Sequence, residues 1–164
     1  MNNRKLLKEM DFNNSIKDLI ENPYVLKMQD FDQHAHTCCL DHSMFVSYVS
    51  FTISRKLGFD AVSAARGGLL HDLFLYDWHD RYSHCRPHLY AHPKEALKNA
   101  SSITELNEIE KDCILKHMWP LTVNMPKYKE SFVVNVSDKL CAMAEVLFVY
   151  RIMRIGKKLK AYCY

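Results

Sequence analysis

The chain has 164 residues, of which 48% are hydrophobic, with only 4 glycines, 5 prolines and a formal charge of +3. This length suffices for one domain with its own core, and the composition argues against a disordered chain and against a turn-rich β-sandwich. The small net charge does not indicate a polyanionic partner, so nucleic-acid binding is not expected. We predict a single, mainly helical domain.

Six cysteines, at positions 38, 39, 85, 113, 141 and 163, include no Cys-x-x-Cys pair. This spacing fits neither a zinc ribbon nor a disulfide framework, and it favours reduced thiols. The N-terminus lacks the apolar core of a signal peptide, and no run of about 18 apolar residues could span a bilayer. We therefore expect a cytoplasmic protein without a membrane partner.

The first strong helical signal follows a short N-terminal segment. Asp41 is predicted to cap a helix that runs to about Leu57 and is closed by Gly58. The apolar residues of this helix recur at helical spacing and form one stripe. His42 falls on that stripe, in the first turn of the helix, so its side chain is expected to point inward.

Asp60 is predicted to cap the next helix. The inward positions of that helix are all small, which lets a neighbouring helix approach closely: Ala61, Ala64, Ala65 and Gly68. This small-residue face leads directly into His71 and Asp72, an ionisable pair surrounded by apolar residues. Burying such a pair costs several kcal/mol unless it has partners or a metal ion.

Residues 76–91 show no clear hydrophobic period, and we interpret them as a loop that borders a site. Pro93 suits the first position of the following helix, which places His92 at its cap. The stretch Ser102-Ile-Thr-Glu105 resembles a capping box for the next helix. His117 falls on the inward face of that helix, near its end.

The last long helix is predicted to begin near Glu130. It is apolar around much of its circumference, as expected for a central buried helix. Asp138 lies on an apolar stripe of this helix, and Glu145 shares its face two turns later. Glu145 is therefore expected either to orient a ligand or to cap a buried polar network.

Five separate segments each deliver a metal-capable residue to an inward face: His42, His71-Asp72, His92, His117 and Asp138. Successive members are separated by about one helix and one turn, so successive helices could bring them to one point. A single inward histidine is more often a satisfied core residue than a ligand. Six such residues are harder to supply with separate core partners, and the set favours a metal site.

Taken in order, His42, His71, Asp72 and Asp138 match the signature H…HD…D, and these four residues are called the signature residues below. This pattern resembles that of the HD-domain metal-dependent phosphohydrolases, whose fold is all-helical. The resemblance covers about residues 34–146. It implies an all-α, HD-domain-like bundle of about six to eight helices around a metal site, within one domain that spans residues 1–164 and has a helical extension at 147–164.

The additional His92 and His117 resemble the extra ligands of the binuclear branch of this superfamily. The resemblance implies two divalent metal ions: the signature residues would hold one, and Asp72 would bridge to a second ion held by His92 and His117. It favours iron or manganese. Zinc, cobalt, nickel and magnesium remain open, because the sequence does not choose among the metals that such ligands accept.

Such a site suits a small phosphorylated substrate. Two divalent ions bring four positive charges and the two aspartates remove two, which leaves a positive site for an anion. The ions can lower the pKa of a bridging water towards neutrality, producing a hydroxide that attacks phosphorus. We predict a metal-dependent phosphohydrolase that cleaves a nucleotide or another small phosphate ester.

Further residues are candidates for supporting roles. Arg66 could contact a phosphate, or it could be a surface charge on its helix. Lys139 could neutralise a leaving oxygen, although a helix neighbour of Asp138 points about 100° away from it. His34, Asp77 and His79 flank the motif residues and are candidates for hydrogen bonds to ligands or for proton transfer.

Three alternatives remain open. Some relatives of the binuclear HD fold use a di-iron site to activate oxygen, a chemistry that oxygen uptake would distinguish from phosphate release. A single-metal nucleotidase would need only the four signature residues. A non-catalytic HD module that binds a nucleotide would have little reason to keep the whole ligand set.

Overall fold

The computed structural model describes residues 3–34, 37–77 and 88–147. Those residues form seven α-helices: α1 Asn3–Ile20, α2 Pro23–Leu26, α3 Cys39–Leu57, α4 Ala61–Leu70, α5 His88–Ile103, α6 Glu108–Lys116 and α7 Lys129–Val146. Two short strands, β1 Asp32–His34 and β2 Thr37–Cys38, pair as an antiparallel ribbon. The predicted all-α class and helix number are confirmed. The single domain and the extension at 147–164 stay predictions, because 148–164 lie outside the described residues.

The N-terminal helix α1 is longer than the short segment expected from the sequence. Its buried residues Phe12, Ile16 and Leu19 follow the i, i+4, i+7 spacing of an amphipathic helix. They pack into the main core together with residues of α3 and α4. The polar positions between them conceal this stripe in the sequence, and packing against the core stabilises the helix.

Helix α4 lies at the centre of the bundle and packs closely against α3 on one side and α6 on the other. A Cβ added at Gly68 would lie 3.1 Å from the Ser47 Cα, and one added at Gly67 would lie 2.6 Å from the Cys113 Cβ. The Ser47 hydroxyl donates a hydrogen bond to the Ala65 carbonyl at 2.7 Å. The predicted close approach at the small-residue face is therefore confirmed.

The end of α3 and the start of α4 lie where the sequence predicts them, whereas the start of α3 does not. Gly58 closes α3 with a φ of 71°, and the Asp60 side chain accepts a hydrogen bond from the Ser63 N–H at 3.0 Å. The prediction of Asp41 as the cap of α3 is wrong, because α3 begins two residues earlier. The ribbon replaces a side-chain cap: the Cys39 N–H donates to the Phe31 carbonyl at 2.8 Å.

The boundaries of α5 and α6 also differ from the prediction. Helix α5 begins at His88, so residues 88–91 are helical and Pro93 lies inside the helix. His92 is therefore not a cap. Residues 78–87 of the predicted loop lie outside the described residues.

The capping box of α6 is formed by Asn107 and Glu110 instead of Ser102 and Glu105. Each side chain accepts a hydrogen bond from the other residue's N–H, at 2.8 and 2.9 Å. Serine and threonine are the usual first members of this motif, but asparagine is an equally good N-cap residue. Ser102 instead lies in the last turn of α5, which extends to Ile103.

None of the helices in the described ranges could span a bilayer, because none combines the necessary length with the necessary apolar character.

Candidate metal centre

The fold brings the six predicted ligands together in one cluster. His42 lies in the first turn of α3, His71 and Asp72 follow α4, His92 lies in α5, His117 follows α6, and Asp138 lies in α7. All are buried except Asp138, whose side chain is 13% exposed. The cluster therefore depends on the relative positions of five helices.

His71 and His117 hold the same local position, at the C-cap of a helix. The Nδ1 of each ring lies 2.8 Å from the carbonyl oxygen three residues earlier, that of Gly68 or Ile114. A carbonyl can only accept a hydrogen bond, so Nδ1 carries the proton in both rings. In its neutral form, each ring would therefore present its Nε2 lone pair to the cluster, as a metal ligand requires.

His42 is oriented by a carboxylate instead of a carbonyl. Its Nδ1 lies 3.0 and 3.1 Å from the two oxygens of Glu145, which is fully buried. Its Nε2 lies 3.1 Å from Asp138 Oδ1. A carboxylate that holds the outer nitrogen of a ligating histidine fixes the ring orientation and raises the basicity of the inner nitrogen. Glu145 thus has the contact expected of a ligand-orienting residue.

The ligand atoms form two groups that share Asp72. The first ligand group consists of the signature residues His42, His71, Asp72 and Asp138. The second ligand group consists of Asp72, His92 and His117. Asp72 is the residue common to both groups, and two ions bridged by it stay a prediction.

Contacts within the first ligand group bring two carboxylates to one imidazole. His71 Nε2 lies 3.3 Å from Asp72 Oδ2 and 3.6 Å from Asp138 Oδ1. In the second ligand group, Asp72 Oδ1 lies 3.4 Å from His117 Nε2 and 3.5 Å from His92 Nε2. The two oxygens of Asp72 therefore face different ligand groups.

Two buried atoms of the cluster indicate that the residues fit metal ions. His71 Nε2 and Asp72 Oδ1 have no hydrogen-bond partner among the described residues. The Nε2 atoms of His92 and His117 face each other at 2.8 Å. Two nitrogens that bind one ion at right angles lie about 3.0 Å apart, given bonds of about 2.1 Å. Converging nitrogen and oxygen atoms of this kind satisfy one another best around a cation.

The pKa values show how strongly the cluster favours positive charge. Burial disfavours the imidazolium of His42, but hydrogen bonds to Asp138 and Glu145 outweigh it and raise the His42 pKa to about 9. His71 follows the same pattern, because Asp72 and Asp138 raise its pKa despite burial. Burial would raise the pKa of both aspartates, yet the neighbouring histidines lower it well below its usual range. Without a metal, protons must supply this charge.

The pKa of His117 is lowered, in contrast to those of His42 and His71. Burial and the charge on His71 lower its pKa to about 3, against the smaller opposing effect of Asp72. Its imidazole is therefore neutral at physiological pH, with the Nε2 lone pair available to a metal. Neutral imidazole is the form that binds metal ions.

Gln33 is a contact of Asp72 that the sequence analysis did not identify. Its Nε2 donates a hydrogen bond to Asp72 Oδ2 across a sequence separation of 39 residues. The Cys39 thiol lies 3.3 Å from the Asp72 carbonyl oxygen. The ribbon and the start of α3 therefore hold both the side chain and the backbone of Asp72. No periodic signal marks a glutamine in a short strand as a neighbour of the motif.

The fold does not bring Arg66 to the cluster. Its guanidinium donates to Glu110 at 2.8 Å, to Asp18 at 2.7 Å and to the Thr104 hydroxyl at 3.2 Å. Arg66 lies five residues before His71, which is about 140° around α4. These contacts join α4 to α1 and to the beginning of α6, a structural role that differs from both the phosphate contact and the surface charge considered for Arg66.

Lys139 lies beside the cluster, and its ammonium is directed to backbone carbonyls. Its Nζ donates to the carbonyl of His117 at 3.0 Å and to that of Asn135 at 3.4 Å. The Asn135 amide donates to the carbonyls of His117 and Trp119. Two side chains of α7 thus satisfy the free carbonyls at the end of α6, where His117 is placed.

The remaining candidate residues are Asp77, His34 and His79. Asp77 is exposed, whereas the ligands are buried. His34 pairs with Thr37 in the ribbon through its backbone, and its side chain lies outside the described residues. His79 lies outside them as well. Their supporting roles therefore stay predictions.

The comparisons with known proteins agree with this geometry. The model of the HD-domain family matches residues 39–143, a range that contains every residue of both ligand groups. Comparison with curated proteins and with solved structures finds no significant match. The matched range spans more than half of the chain and begins with the helix that carries His42. With its all-helical fold and its buried cluster of histidines and aspartates, this chain belongs to the HD-domain family.

Proposed function

We propose that this protein is a binuclear metal-dependent phosphohydrolase that acts on a nucleotide or another small phosphate ester. HD domains are usually metal-dependent hydrolases. The observation that carries the proposal is the sharing of Asp72 between the two ligand groups, with Oδ1 directed to His92 and His117 and Oδ2 directed to His71. A carboxylate whose two oxygens serve different ligand groups is suited to bridge a pair of ions, whereas a single ion has no need of such a bridge.

The chain's own residues would hold the ions in a fixed, mostly water-excluded position. When bound, two divalent ions act as Lewis acids towards a phosphate oxygen and lower the pKa of a coordinated water. The backbone contacts of His71 and His117 and the Glu145 contact of His42 fix which nitrogen each ring presents. Iron or manganese is our preferred metal because of the resemblance to the binuclear branch, since imidazole and carboxylate ligands without thiolate also suit cobalt and zinc.

An anionic substrate fits the charge of this site. The two aspartates neutralise only two of the four charges that two divalent ions carry, and the imidazoles neutralise none. Asp138 is the most exposed ligand, so we propose that the substrate approaches the cluster from the side of α7.

Tyr76 is a candidate substrate contact near the second ligand group. Burial and the charge of Asp72 raise the pKa of Tyr76 to about 12, so the hydroxyl keeps its proton at neutral pH. A neutral hydroxyl can donate a hydrogen bond to a phosphate oxygen. The Tyr76 ring packs on Phe74 at 4.9 Å between centroids, and Phe74 in turn lies 5.8 Å from the His92 ring.

The test measures phosphate release and oxygen uptake in parallel. Protein purified under low oxygen without chelators is loaded with Mn²⁺ or Fe²⁺ and offered nucleoside phosphates and simple phosphate esters. We expect metal-dependent phosphate release that falls more than about 100-fold in Asp72→Asn, because even residues that only orient ligands cost 10–100-fold. Glu130→Gln, at a buried glutamate of α7 that binds the Asp60 N–H, serves as a control with retained activity.

Other outcomes overturn the proposal in different ways. Substrate-dependent oxygen uptake without phosphate release would assign the protein to the di-iron oxygenases. Nucleotide binding without turnover at any metal loading would make it a binding module. Full activity with one ion, unaffected by His92→Ala, would assign a single-metal nucleotidase.

A further inference from the structure

Gln33 makes a contact that no motif of the sequence explains. Its side chain is 9% exposed, and its Nε2 donates to Asp72 Oδ2 from a ribbon far from α4 in sequence. The amide nitrogen can only donate, and both carboxylate oxygens can only accept, so the direction of this hydrogen bond is fixed. Gln33 therefore selects one oxygen of Asp72 and leaves the other, Oδ1, directed to the second ligand group.

The rotation of the Asp72 carboxylate decides whether it can serve both ligand groups. Oδ2 lies 3.3 Å from His71 Nε2, and Oδ1 lies 3.4 Å from His117 Nε2. The terminal torsion of an aspartate is broad and offers little intrinsic preference. A rotation about that torsion would move one oxygen out of each ligand group. An external hydrogen bond is needed to hold the carboxylate plane in the bridging orientation.

The position of Gln33 is itself fixed by the fold. The strand β1 pairs with β2, and the Cys39 N–H at the start of α3 donates to the Phe31 carbonyl at 2.8 Å. The Cys39 thiol also contacts the Asp72 carbonyl oxygen at 3.3 Å. The ribbon is thereby tied to the helix that carries His42, so a change in the ribbon is transmitted to Asp72 through two contacts.

A second atom of Gln33 lies close to the same carboxylate. Oε1 is buried and has no hydrogen-bond partner among the described residues. The two polar atoms of one amide are separated by roughly 2.2 Å, so Oε1 is held near Asp72 by the bond that Nε2 makes. Gln33 therefore contacts the cluster only through its Nε2 donor, so its effect is on Asp72 and not on the imidazoles.

We propose that Gln33 is a positioning residue that holds Asp72 in the orientation in which one carboxylate serves both ligand groups. The inference rests on the binuclear site of the proposed function and deepens it by naming the residue that sustains the bridge. Gln33 touches neither substrate nor metal in this role, and it acts only through Asp72.

The experiment compares wild type with Gln33→Met, which keeps the side-chain length and removes the donor. Metal-free protein is titrated with Mn²⁺, both dissociation constants are measured, and electron paramagnetic resonance reports magnetic coupling between the two ions. We expect the weaker of the two sites to lose 10–100-fold in affinity, the usual effect of removing a ligand-orienting hydrogen bond. We also expect the coupled signal to be replaced by that of isolated ions.

Thr37→Val is the matched control, because Thr37 is buried in the same ribbon and is not a member of either ligand group. It should leave both dissociation constants and the coupled signal unchanged. If Gln33→Met fails to fold, as judged by circular dichroism, Gln33→Asn replaces it. Asparagine keeps the amide but is shorter by one methylene, so the same losses are expected.

The outcomes separate this inference from the proposed function. If wild type binds two coupled Mn²⁺ ions and the Gln33 variant does so with the same affinities, the positioning role is wrong and the binuclear site stands. If Thr37→Val weakens binding as much as the Gln33 variant does, the ribbon acts as a whole and the specific role is also wrong. If wild type binds no pair of ions, both the inference and the binuclear function are overturned.

Discussion

The Glu145 carboxylate lies 3.0 Å from His42 Nδ1, and His42 Nε2 in turn lies 3.1 Å from Asp138 Oδ1. These two contacts link Glu145 and Asp138, which lie two turns apart in α7, through the imidazole of His42 in α3. The carboxylate fixes the ring, and the inner nitrogen is thereby directed to the first ligand group. An arrangement of this kind tunes a metal ligand without contacting the metal.

Removing the orienting carboxylate should weaken metal binding. We expect Glu145→Ala to lower the affinity of the first ligand group by 10–100-fold, because the His42 ring loses its fixed orientation and basicity. Isothermal titration of metal-free protein with Mn²⁺ measures the effect. Glu130→Ala is the matched control, since it removes a buried glutamate of the same helix whose partner is the Asp60 N–H. Equal affinities in wild type and Glu145→Ala would contradict the prediction.

The number of bound ions should depend on His92 and His117. Elemental analysis of wild type purified without chelators is expected to give about two equivalents of metal per chain. His92→Ala and His117→Ala should each hold about one, because the second ligand group loses one of its two imidazoles while the first stays complete. One equivalent in wild type that does not change in either variant would show that these histidines bind no metal.

Metal and protons should compete for His42. Its pKa in the metal-free protein is raised from 6.5 to about 9, so metal binding releases a proton from this ring below pH 9. Mn²⁺ affinity should therefore increase as the pH rises from 6.5 towards 9. Calorimetric titrations in buffers of different ionisation enthalpy report the number of protons released. A binding enthalpy independent of the buffer would refute this.

The raised pKa of His42 also determines how the stability of the metal-free protein changes with pH. Because the folded pKa of His42 exceeds the unfolded value of 6.5, its contribution to the metal-free protein is fully present below pH 6.5 and is lost as the pH rises through about 9. The lowered pKa of His117 affects stability only below pH 6.5, so it does not change the stability between pH 6.5 and pH 9. We expect the gap in Tm between metal-loaded and metal-free protein to widen from pH 6.5 to pH 9.

Lys139 and Asn135 should act on metal binding through the end of α6. Asn135→Ala leaves buried carbonyls of His117 and Trp119 without this donor, so we expect a loss of about 1–3 kcal/mol in unfolding free energy.

Lys139→Met removes the second donor to the His117 carbonyl and should selectively lower the affinity for the second ion. Reduced kcat with unchanged affinity for both ions would instead support the role at the leaving oxygen that the sequence suggested.

Asp112 should make the fold sensitive to acid. Its Oδ2 accepts from the Lys127 N–H at 2.7 Å and the Tyr128 N–H at 3.3 Å, directly before α7, and Oδ1 pairs with Lys116 at 2.6 Å. We expect Asp112→Ala to cost about 1–3 kcal/mol at pH 7 in urea unfolding.

The acid dependence of this contribution has a fixed direction. Burial raises the Asp112 pKa, but hydrogen bonds from Lys116 and from the backbone N–H groups outweigh it and lower the pKa below 3.8. A lowered folded pKa gives stability that is present above 3.8 and is lost as the pH falls through the folded value. The difference in unfolding free energy between wild type and Asp112→Ala should therefore shrink as the pH falls below 3.8. A constant difference between pH 7 and pH 3 would exclude this origin.

Helical periodicity alone predicted much of the fold and placed candidate ligands on inward faces. The spacing of apolar residues placed His42 and Asp138 on inward faces, and the small residues of α4 predicted the close packing that Gly68 makes with Ser47. These features are local, because each depends only on the 3.6-residue repeat of one helix. Where a boundary depended on a competing local signal, as at Pro93, the sequence placed it wrongly.

The tertiary structure alone decided which side chains meet. Arg66 lies in the motif segment, five residues before His71, yet in the folded chain it pairs with Glu110 and Asp18 on other helices. Gln33 lies in no recognisable pattern, yet the ribbon brings it to Asp72. Periodicity specifies the face of an element, whereas a contact across 39 residues depends on how elements pack. The candidate ligands and Glu145 were therefore recognisable in the sequence, whereas the contact of Gln33 with Asp72 became visible only once the chain was folded.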